Sequence, residues 1–177
     1  MSETKIMKYH TGHVDPWWDD SFKQLDYIYY PLKNTWDEER WINEGYRGSG
    51  IGLNLKGALY NNSRPMPDYA TPFYTLFDWD HVNIAYYRMN TLDALPLHID
   101  VYTSYRKMLD IDDSSTIWRC ILFLENWKSG HYFEIDNTAL VNWCAGDYVF
   151  WNDSVEHFAG NFGTEPRYTM QITGIKK

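Results

Sequence analysis

The sequence predicts a mainly β fold, a sandwich or jelly roll, and two features of its second half favour this class. From about residue 81 onward, short segments rich in Tyr, Val, Ile, Phe and Trp recur, each bounded by Gly, Asn, Asp or Pro. Few intervals between these segments have a helical pattern, which is typical of all-β domains. The predicted strands are 82–88, 97–104, 116–125, 131–135, 139–143, 147–151, 156–161 and 167–174.

The part of the chain before these strands is mixed. Asn34 precedes the segment 36–45, WDEERWINEG, whose pattern predicts a short helix with Trp36, Ile42 and Trp41 turned inward. We therefore expect a few helices to flank the β core on its N-terminal side.

Two further N-terminal segments contain glycines or prolines at short spacing. Residues 46–60 have glycines at spacing two, but the lysine and helix of a phosphate-binding loop do not follow them. This segment predicts a glycine-rich strand or turn. Residues 61–72 contain three prolines and predict a surface loop.

The length of 177 residues suits one domain, 1–177, in which about 1–80 pack on a core of about 82–175. Hydrophobic residues make up 44% and aromatic residues 18%, which excludes a disordered chain. The net charge of -8 argues against nucleic-acid partners and against an anionic membrane surface. No apolar run has the length of a membrane helix, and the N-terminus lacks a signal-peptide core. Two cysteines are too few for a disulfide scaffold, so we expect a cytoplasmic protein with free thiols.

A metal site is suggested by His98 and Asp100, two residues apart in the predicted strand LPLHIDVY. Positions i and i+2 of a strand project from one face, so an imidazole and a carboxylate can share a cation. His157, at the start of a later strand, is the candidate third ligand, and this donor set suits Fe(II) with open positions. The alternative is that His98 and Asp100 form a hydrogen-bonded pair on the surface. Because the chain has six histidines, a third candidate ligand is also easily found by chance.

An anion anchor is suggested by Arg167 and Thr169, which share a face of the predicted last strand. A guanidinium matches a carboxylate with two parallel hydrogen bonds, and a neighbouring hydroxyl adds another. The alternative is an arginine at a strand edge that pairs with Glu165 or another acid.

These motifs, taken in order, resemble the iron(II)/2-oxoglutarate oxygenase superfamily over roughly residues 82–175. The matching segments are HID at 98–100, WRCILFLENW at 118–127, GHYFEI at 130–135, AGDYVFW at 145–151, His157, and RYT at 167–169. The resemblance implies a double-stranded β-helix, a cupin-like jelly roll. The run FWNDSVEHFAGN at 150–161 is most similar to aspartyl/asparaginyl β-hydroxylases, and the segment before His98 is similar to prolyl hydroxylases. The best-known peptide aspartyl hydroxylases lack the carboxylate ligand, whereas Asp100 is present here.

The resemblance also implies a cofactor, a cosubstrate and a reaction. It implies that Fe(II) is bound by the three metal-site residues, and that Arg167 and Thr169 hold the far carboxylate of 2-oxoglutarate. An aromatic residue on the preceding strand, Tyr87 or Tyr86, completes that cosubstrate site. The implied reaction uses O2 to hydroxylate an unactivated carbon and releases succinate and CO2, with no catalytic side chain beyond the metal centre.

The expected substrate is a small molecule, an amino acid or a peptide. Candidate substrate-binding residues lie near the expected ligands: Tyr102, Arg106, His131, Trp151 and Asn161. An exposed arginine and ordinary strand packing are the alternatives for Arg106 and His131.

Two other functions remain open at this stage. One is a cupin-type mononuclear iron enzyme without 2-oxoglutarate, which needs the metal ligands but not Arg167 and Thr169. The other is a noncatalytic jelly-roll protein that binds a sugar or peptide in an aromatic pocket.

Overall fold

The computed structural model describes residues 8–29, 35–45, 55–111, 117–152 and 154–177. Within these residues the chain is mainly β, with two short α-helices, α1 (Thr35–Asn43) and α2 (Thr103–Leu109), and two 3-10 helices, Asp20–Gln24 and Asp68–Thr75. The strands β1 to β10 are, in chain order, Tyr9–His13, Ala58–Asn61, Trp79–Met89, Ala94–His98, Ile117–Phe123, His131–Ile135, Thr138–Leu140, Asp147–Asn152, His157–Asn161 and Arg167–Lys176.

The strands form two antiparallel sheets. The larger sheet has six strands in the order β1-β8-β5-β10-β3-β2, and the smaller has four in the order β4-β9-β6-β7. Neighbouring strands are mostly distant in sequence, which is the connectivity of a jelly roll rather than of a simple meander. The mainly β prediction is confirmed.

The inner faces of the two sheets share one hydrophobic core. Ile121 and Trp151 from the larger sheet pack with Phe133, Ile135 and Ala159 from the smaller one. Buried and less buried positions alternate along β6, as expected of a strand with one face in the core. The functional site described below lies between these two faces.

The outer face of the six-stranded sheet is covered by the N-terminal part of the chain. Phe22, Tyr27 and Phe73 belong to a second core cluster together with Tyr86 and Met170. The N-terminal segments thus bury the side of the larger sheet that faces away from the site.

The predicted strand 97–104 is wrong from Ile99 onward. The strand β4 ends at His98, and α2 begins at Thr103. Tyr102 has a left-handed backbone with φ of 49°, a conformation that no strand residue adopts. The chain therefore leaves the sheet between His98 and Tyr102, and Asp100 lies in a loop.

The N-terminal predictions are correct in part. The helix α1 is present and ends near Gly45, but Trp41 is 2% exposed whereas Ile42 is 42% exposed, so the inward position of Ile42 was wrong. Two adjacent residues of a helix point about 100° apart, so Trp41 can be buried while Ile42 faces solvent. The side chain of Trp36 and the glycines between 46 and 54 lie outside the described residues, and the predicted loop 61–72 includes the start of a 3-10 helix.

No helix in the part of the chain that the structure describes is long and apolar enough to span a bilayer.

Candidate metal centre

His98, Asp100 and His157 converge at one end of the smaller sheet. His98 is the last residue of β4 and lies opposite His157, the first residue of the antiparallel neighbour β9. Asp100 follows in the loop, and one ligand atom from each residue lies within 4.8 Å of the others. The Nε2 atom of His98 is 3.9 Å from Asp100 Oδ1, and that of His157 is 3.8 Å from Asp100 Oδ2. These distances leave space for one ion in contact with all three groups.

Both imidazoles are held in the tautomer that a metal ligand needs. The Nδ1 of His98 is 2.8 Å from the carbonyl oxygen of Pro96, and that of His157 is 3.0 Å from the carbonyl oxygen of Val155. A carbonyl only accepts hydrogen bonds, so Nδ1 carries the proton and the Nε2 lone pair faces Asp100. Burial, with the nearby His98, lowers the pKa of His157 to about 4, so this imidazole is neutral near pH 7.

Asp100 is held in its charged form by Arg119. Burial alone would raise the pKa of its carboxyl, but the positive charge and hydrogen bond of the Arg119 guanidinium hold the pKa well below its usual range. The Nε of Arg119 donates a hydrogen bond of 3.2 Å to Asp100 Oδ2. Two imidazoles and one carboxylate are a donor set that fits Fe(II).

A cavity between the sheets extends from these three residues. Its lining consists of Tyr87, Leu95, His98, Asp100, Arg119, Ile121, Phe133, Trp151, His157, Ala159, Arg167, Thr169 and Gln171. It includes all the predicted metal-site and cosubstrate residues. It also includes Trp151, whose ring lies 4.7 Å from that of His157 between centroids.

Arg167 is a buried cation in an aromatic environment. Its side chain is 2% exposed and lies within 5.8 Å of the ring centroids of Phe123, Phe133 and Trp143. Its Nη1 contacts the sulfur of Met89 at 3.3 Å, whereas Nε and Nη2 are buried without a hydrogen-bond partner. Burial lowers the pKa of Arg167 to about 10, so it stays charged near pH 7.

The alternative explanation of Arg167, an ion pair with a nearby acid, is not what the structure contains. Glu165 instead lies 2.9 Å from Lys128 Nζ. Among the described residues, no carboxylate pairs with the Arg167 guanidinium. A buried charge without a counterion is costly, which points to an anionic ligand.

Tyr87 and Thr169 lie beside Arg167, opposite each other on β3 and β10. The Tyr87 hydroxyl accepts a hydrogen bond of 2.6 Å from the Gly57 backbone N–H, which leaves its own proton free to donate. A Cβ on Gly57 would lie 2.5 Å from the Arg88 carbonyl oxygen and 2.8 Å from the Tyr87 ring, so this contact requires glycine. Tyr86 belongs to the core on the opposite face of the sheet, so Tyr87 is the member of the pair that faces the cavity.

Four of the predicted substrate residues do not line the cavity among the described residues. Tyr102 is buried just outside it, with the Arg119 guanidinium 5.2 Å from its ring centroid. Arg106 lies on α2 and donates from Nε to the Ile111 carbonyl. His131 is buried, with Nε2 3.0 Å from the carbonyl oxygen of Glu165.

Asn161, the fourth of these residues, has side-chain hydrogen bonds that join the end of β3 to the loop between β9 and β10. Its Nδ2 donates to the carbonyl oxygens of Met89 at 2.9 Å and Glu165 at 2.8 Å, and its Oδ1 accepts from the Gly163 N–H at 2.9 Å. The residue is fully buried. This environment is that of a structural asparagine.

We expect Asn161→Ala to lower the free energy of unfolding by about 3 kcal/mol. Each of its three hydrogen bonds contributes about 1 kcal/mol, and their loss leaves buried backbone groups unpaired. Urea denaturation measures the change, and Asn43→Ala at the exposed end of α1 is the control, with a shift within about 0.5 kcal/mol. Unchanged stability together with reduced turnover would instead favour a substrate-binding role.

Three residues near the site were not predicted from the sequence: Arg119, Gln171 and Trp41. Arg119 is the charged residue in the otherwise apolar strand IWRCILF, and Gln171 lies at i+2 from Thr169, so both carried a signal. Trp41 packs edge-on against His98, with centroids 6.3 Å apart, and its Nε1 donates to the Leu97 carbonyl at 3.3 Å. No local pattern connects α1 with His98.

Comparison with known proteins shows the fold. No family model matches the chain, and no curated protein matches it in sequence. A Pseudomonas putida prolyl-4-hydroxylase superposes with a TM-score of 0.58 at 11% identity, over 96% of this chain and 93% of that one. A Cupin 2 conserved barrel domain protein from Salinispora arenicola has a TM-score of 0.42 at 9% identity, over 72% and 83% of the two chains. The Cnp3 cupin domain of Schizosaccharomyces pombe also gives 0.42 at 9% identity, over 75% and 74%. The fold is a double-stranded β-helix.

Proposed function

We propose that the protein is an Fe(II)- and 2-oxoglutarate-dependent dioxygenase that hydroxylates an unactivated carbon. The substrate class is an amino acid, a peptidyl residue or a small metabolite. His98, Asp100 and His157 hold the iron, and Arg167, Thr169 and Tyr87 bind the cosubstrate.

The observation that carries this proposal is the unpaired guanidinium of Arg167 in the same cavity as the metal-type donors. Two of its nitrogen atoms, Nε and Nη2, are buried without a hydrogen-bond partner. A carboxylate accepts from such a pair in parallel and neutralises the charge. The hydroxyls of Thr169 and Tyr87 line the same cavity and supply two further donors. A dicarboxylate that chelates the metal at one end and meets Arg167 at the other satisfies both sites.

When bound, Fe(II) with 2-oxoglutarate and O2 supplies the oxidising power for hydroxylation, with release of succinate and CO2. The residues of the chain orient the reactants and exclude water. Trp151, Ile121 and Phe133 form an apolar wall of the cavity, which keeps bulk water from the metal side. No side chain with a catalytic pKa is required.

A cupin-type iron enzyme without 2-oxoglutarate would leave the buried Arg167 charge without a function. A noncatalytic binding protein would leave the metal donor set unexplained. A 2-oxoglutarate-dependent oxygenase accounts for both features, because Fe(II) binds the metal donor set and 2-oxoglutarate binds the buried Arg167.

We expect the purified protein to form a weak visible absorption band when Fe(II) and 2-oxoglutarate are added anaerobically. On admission of air it should release succinate, slowly alone and faster with a substrate from a panel of amino acids and peptides. Omission of Fe(II) or of 2-oxoglutarate is the control for each signal. A protein that binds the metal but neither develops the band nor forms succinate would contradict 2-oxoglutarate dependence.

A further inference from the structure

The three proposed ligands are held in different ways. His98 and His157 are at strand ends, and each Nδ1 is hydrogen-bonded to a carbonyl oxygen two residues earlier. Asp100 lies in the loop after β4, between Ile99 and Val101, which are 40% and 50% exposed. None of the described hydrogen bonds joins its carboxylate to a backbone group. Its position therefore depends on a side chain from elsewhere in the fold.

That side chain is Arg119, on β5 in the six-stranded sheet. Its Nε donates to Asp100 Oδ2 at 3.2 Å, and its Nη1 donates to Gln171 Oε1 at 3.3 Å. Gln171 is on β10, which is paired with β5, and the Tyr102 ring lies 5.2 Å from the guanidinium. The guanidinium is thus fixed by two strands of the sheet before it meets the loop.

We propose that Arg119 is a positioning residue that holds the Asp100 carboxylate in place for the metal. This inference rests on the metal site of the proposed function. Arg119 occupies Oδ2 of Asp100, and Oδ1 stays available on the side of His98 Nε2. Two of its donor groups are already engaged within the protein, which argues against a role as the main substrate anchor.

The charge of Arg119 and its positioning effect act on metal affinity with opposite signs. A guanidinium next to a ligand carboxylate repels a cation, so its charge alone weakens metal binding. Its hydrogen bond orients a carboxylate that none of the described backbone hydrogen bonds holds, which strengthens binding. Loss of such an orienting partner typically costs about 10–100-fold in metal affinity. The direction of the change in a charge-removing variant therefore identifies the dominant effect.

The test is a Co(II) titration of the full-length protein, followed by visible absorption, since Co(II) accepts the same nitrogen and oxygen ligands as Fe(II). We expect Arg119→Met to raise the Co(II) dissociation constant about 10–100-fold. Arg119→Lys retains a donor without the planar fork and should recover part of the affinity. Unchanged or tighter binding by Arg119→Met would overturn the proposal.

A double variant separates positioning from general damage to the fold. If Arg119 acts through Asp100, then adding Arg119→Met to Asp100→Ala should cause no further loss of Co(II) affinity. Losses that add on a logarithmic scale would mean that Arg119 acts by another route, and would contradict the inference.

Arg64→Met is the matched control. Arg64 also lies near an aspartate, 3.5 Å from Asp26 Oδ2, and over a tyrosine ring, 5.3 Å from the Tyr60 centroid, but it does not line the cavity. The Co(II) affinity of the Arg64→Met protein should equal that of the wild type. A wild-type protein that fails to bind Co(II) contradicts the proposed metal site itself, whereas equal binding by wild type and Arg119→Met contradicts only the role of Arg119.

Discussion

Replacing His157 with leucine is expected to abolish succinate formation and to weaken Co(II) binding by more than about 100-fold. Loss of an orienting partner already costs about 10–100-fold, and this substitution removes a ligand atom itself. His157 is buried, and its low pKa of about 4, caused first by burial and then by His98, keeps Nε2 unprotonated near pH 7. The substitution leaves only two donors, both from one segment, and two donors hold a divalent ion weakly.

Leucine is chosen because it keeps most of the buried volume beside Trp151 and Phe133, so the core stays packed. Circular dichroism checks the fold, and the Co(II) titration and a succinate assay give the two readouts. His13→Leu is the control, because His13 also pairs with an aspartate, Nδ1 to Asp147 Oδ1 at 2.7 Å, but lies on the surface. Wild-type affinity in His157→Leu would locate the metal elsewhere.

The convergence of His98, Asp100 and His157 was predicted from the sequence, but the reason given for Asp100 was partly wrong. Strand periodicity placed His98 and Asp100 on one face, whereas the strand ends at His98 and Asp100 reaches the site from a loop. After the strand ends, the chain turns through the left-handed backbone of Tyr102, whose ring packs near Arg119 from a distant strand. A local pattern contains no information about such contacts.

Periodicity was sufficient for the positions that stay within strands. Arg167 and Thr169 share a face as predicted. The same two-residue period places Gln171 on that face as well. What the pattern cannot supply is the partner across the cavity. The aromatic rings around Arg167 come from separate segments, at Phe123, Phe133 and Trp143, and only the folded chain brings them together.

Those surroundings lead to the last expected result, in which one substitution lowers ligand affinity without lowering stability. We expect Arg167→Met to weaken 2-oxoglutarate binding by about 30-fold or more while leaving the fold as stable as the wild type, or more stable. Truncation of a buried charge that pairs with a ligand carboxylate costs at least about 2 kcal/mol of binding, which is the stated factor. In the free protein the same guanidinium is a buried charge with two unpaired nitrogen atoms, so replacing it with an apolar side chain of similar length removes a desolvation cost.

Calorimetric titration of the Co(II)-loaded protein with 2-oxoglutarate measures the first effect, and urea denaturation of the metal-free protein measures the second. Arg88→Met is the control, because Arg88 lies over an aromatic ring, 4.8 Å from the Tyr27 centroid, but does not line the cavity. Its affinity for 2-oxoglutarate should not change. Tight 2-oxoglutarate binding by Arg167→Met would refute the carboxylate anchor, while a large loss of stability would mean that the buried charge is already compensated within the chain. A ligand that needs the charge would explain why it is kept at a cost to the empty protein, and loss of 2-oxoglutarate affinity without loss of stability tests that explanation directly.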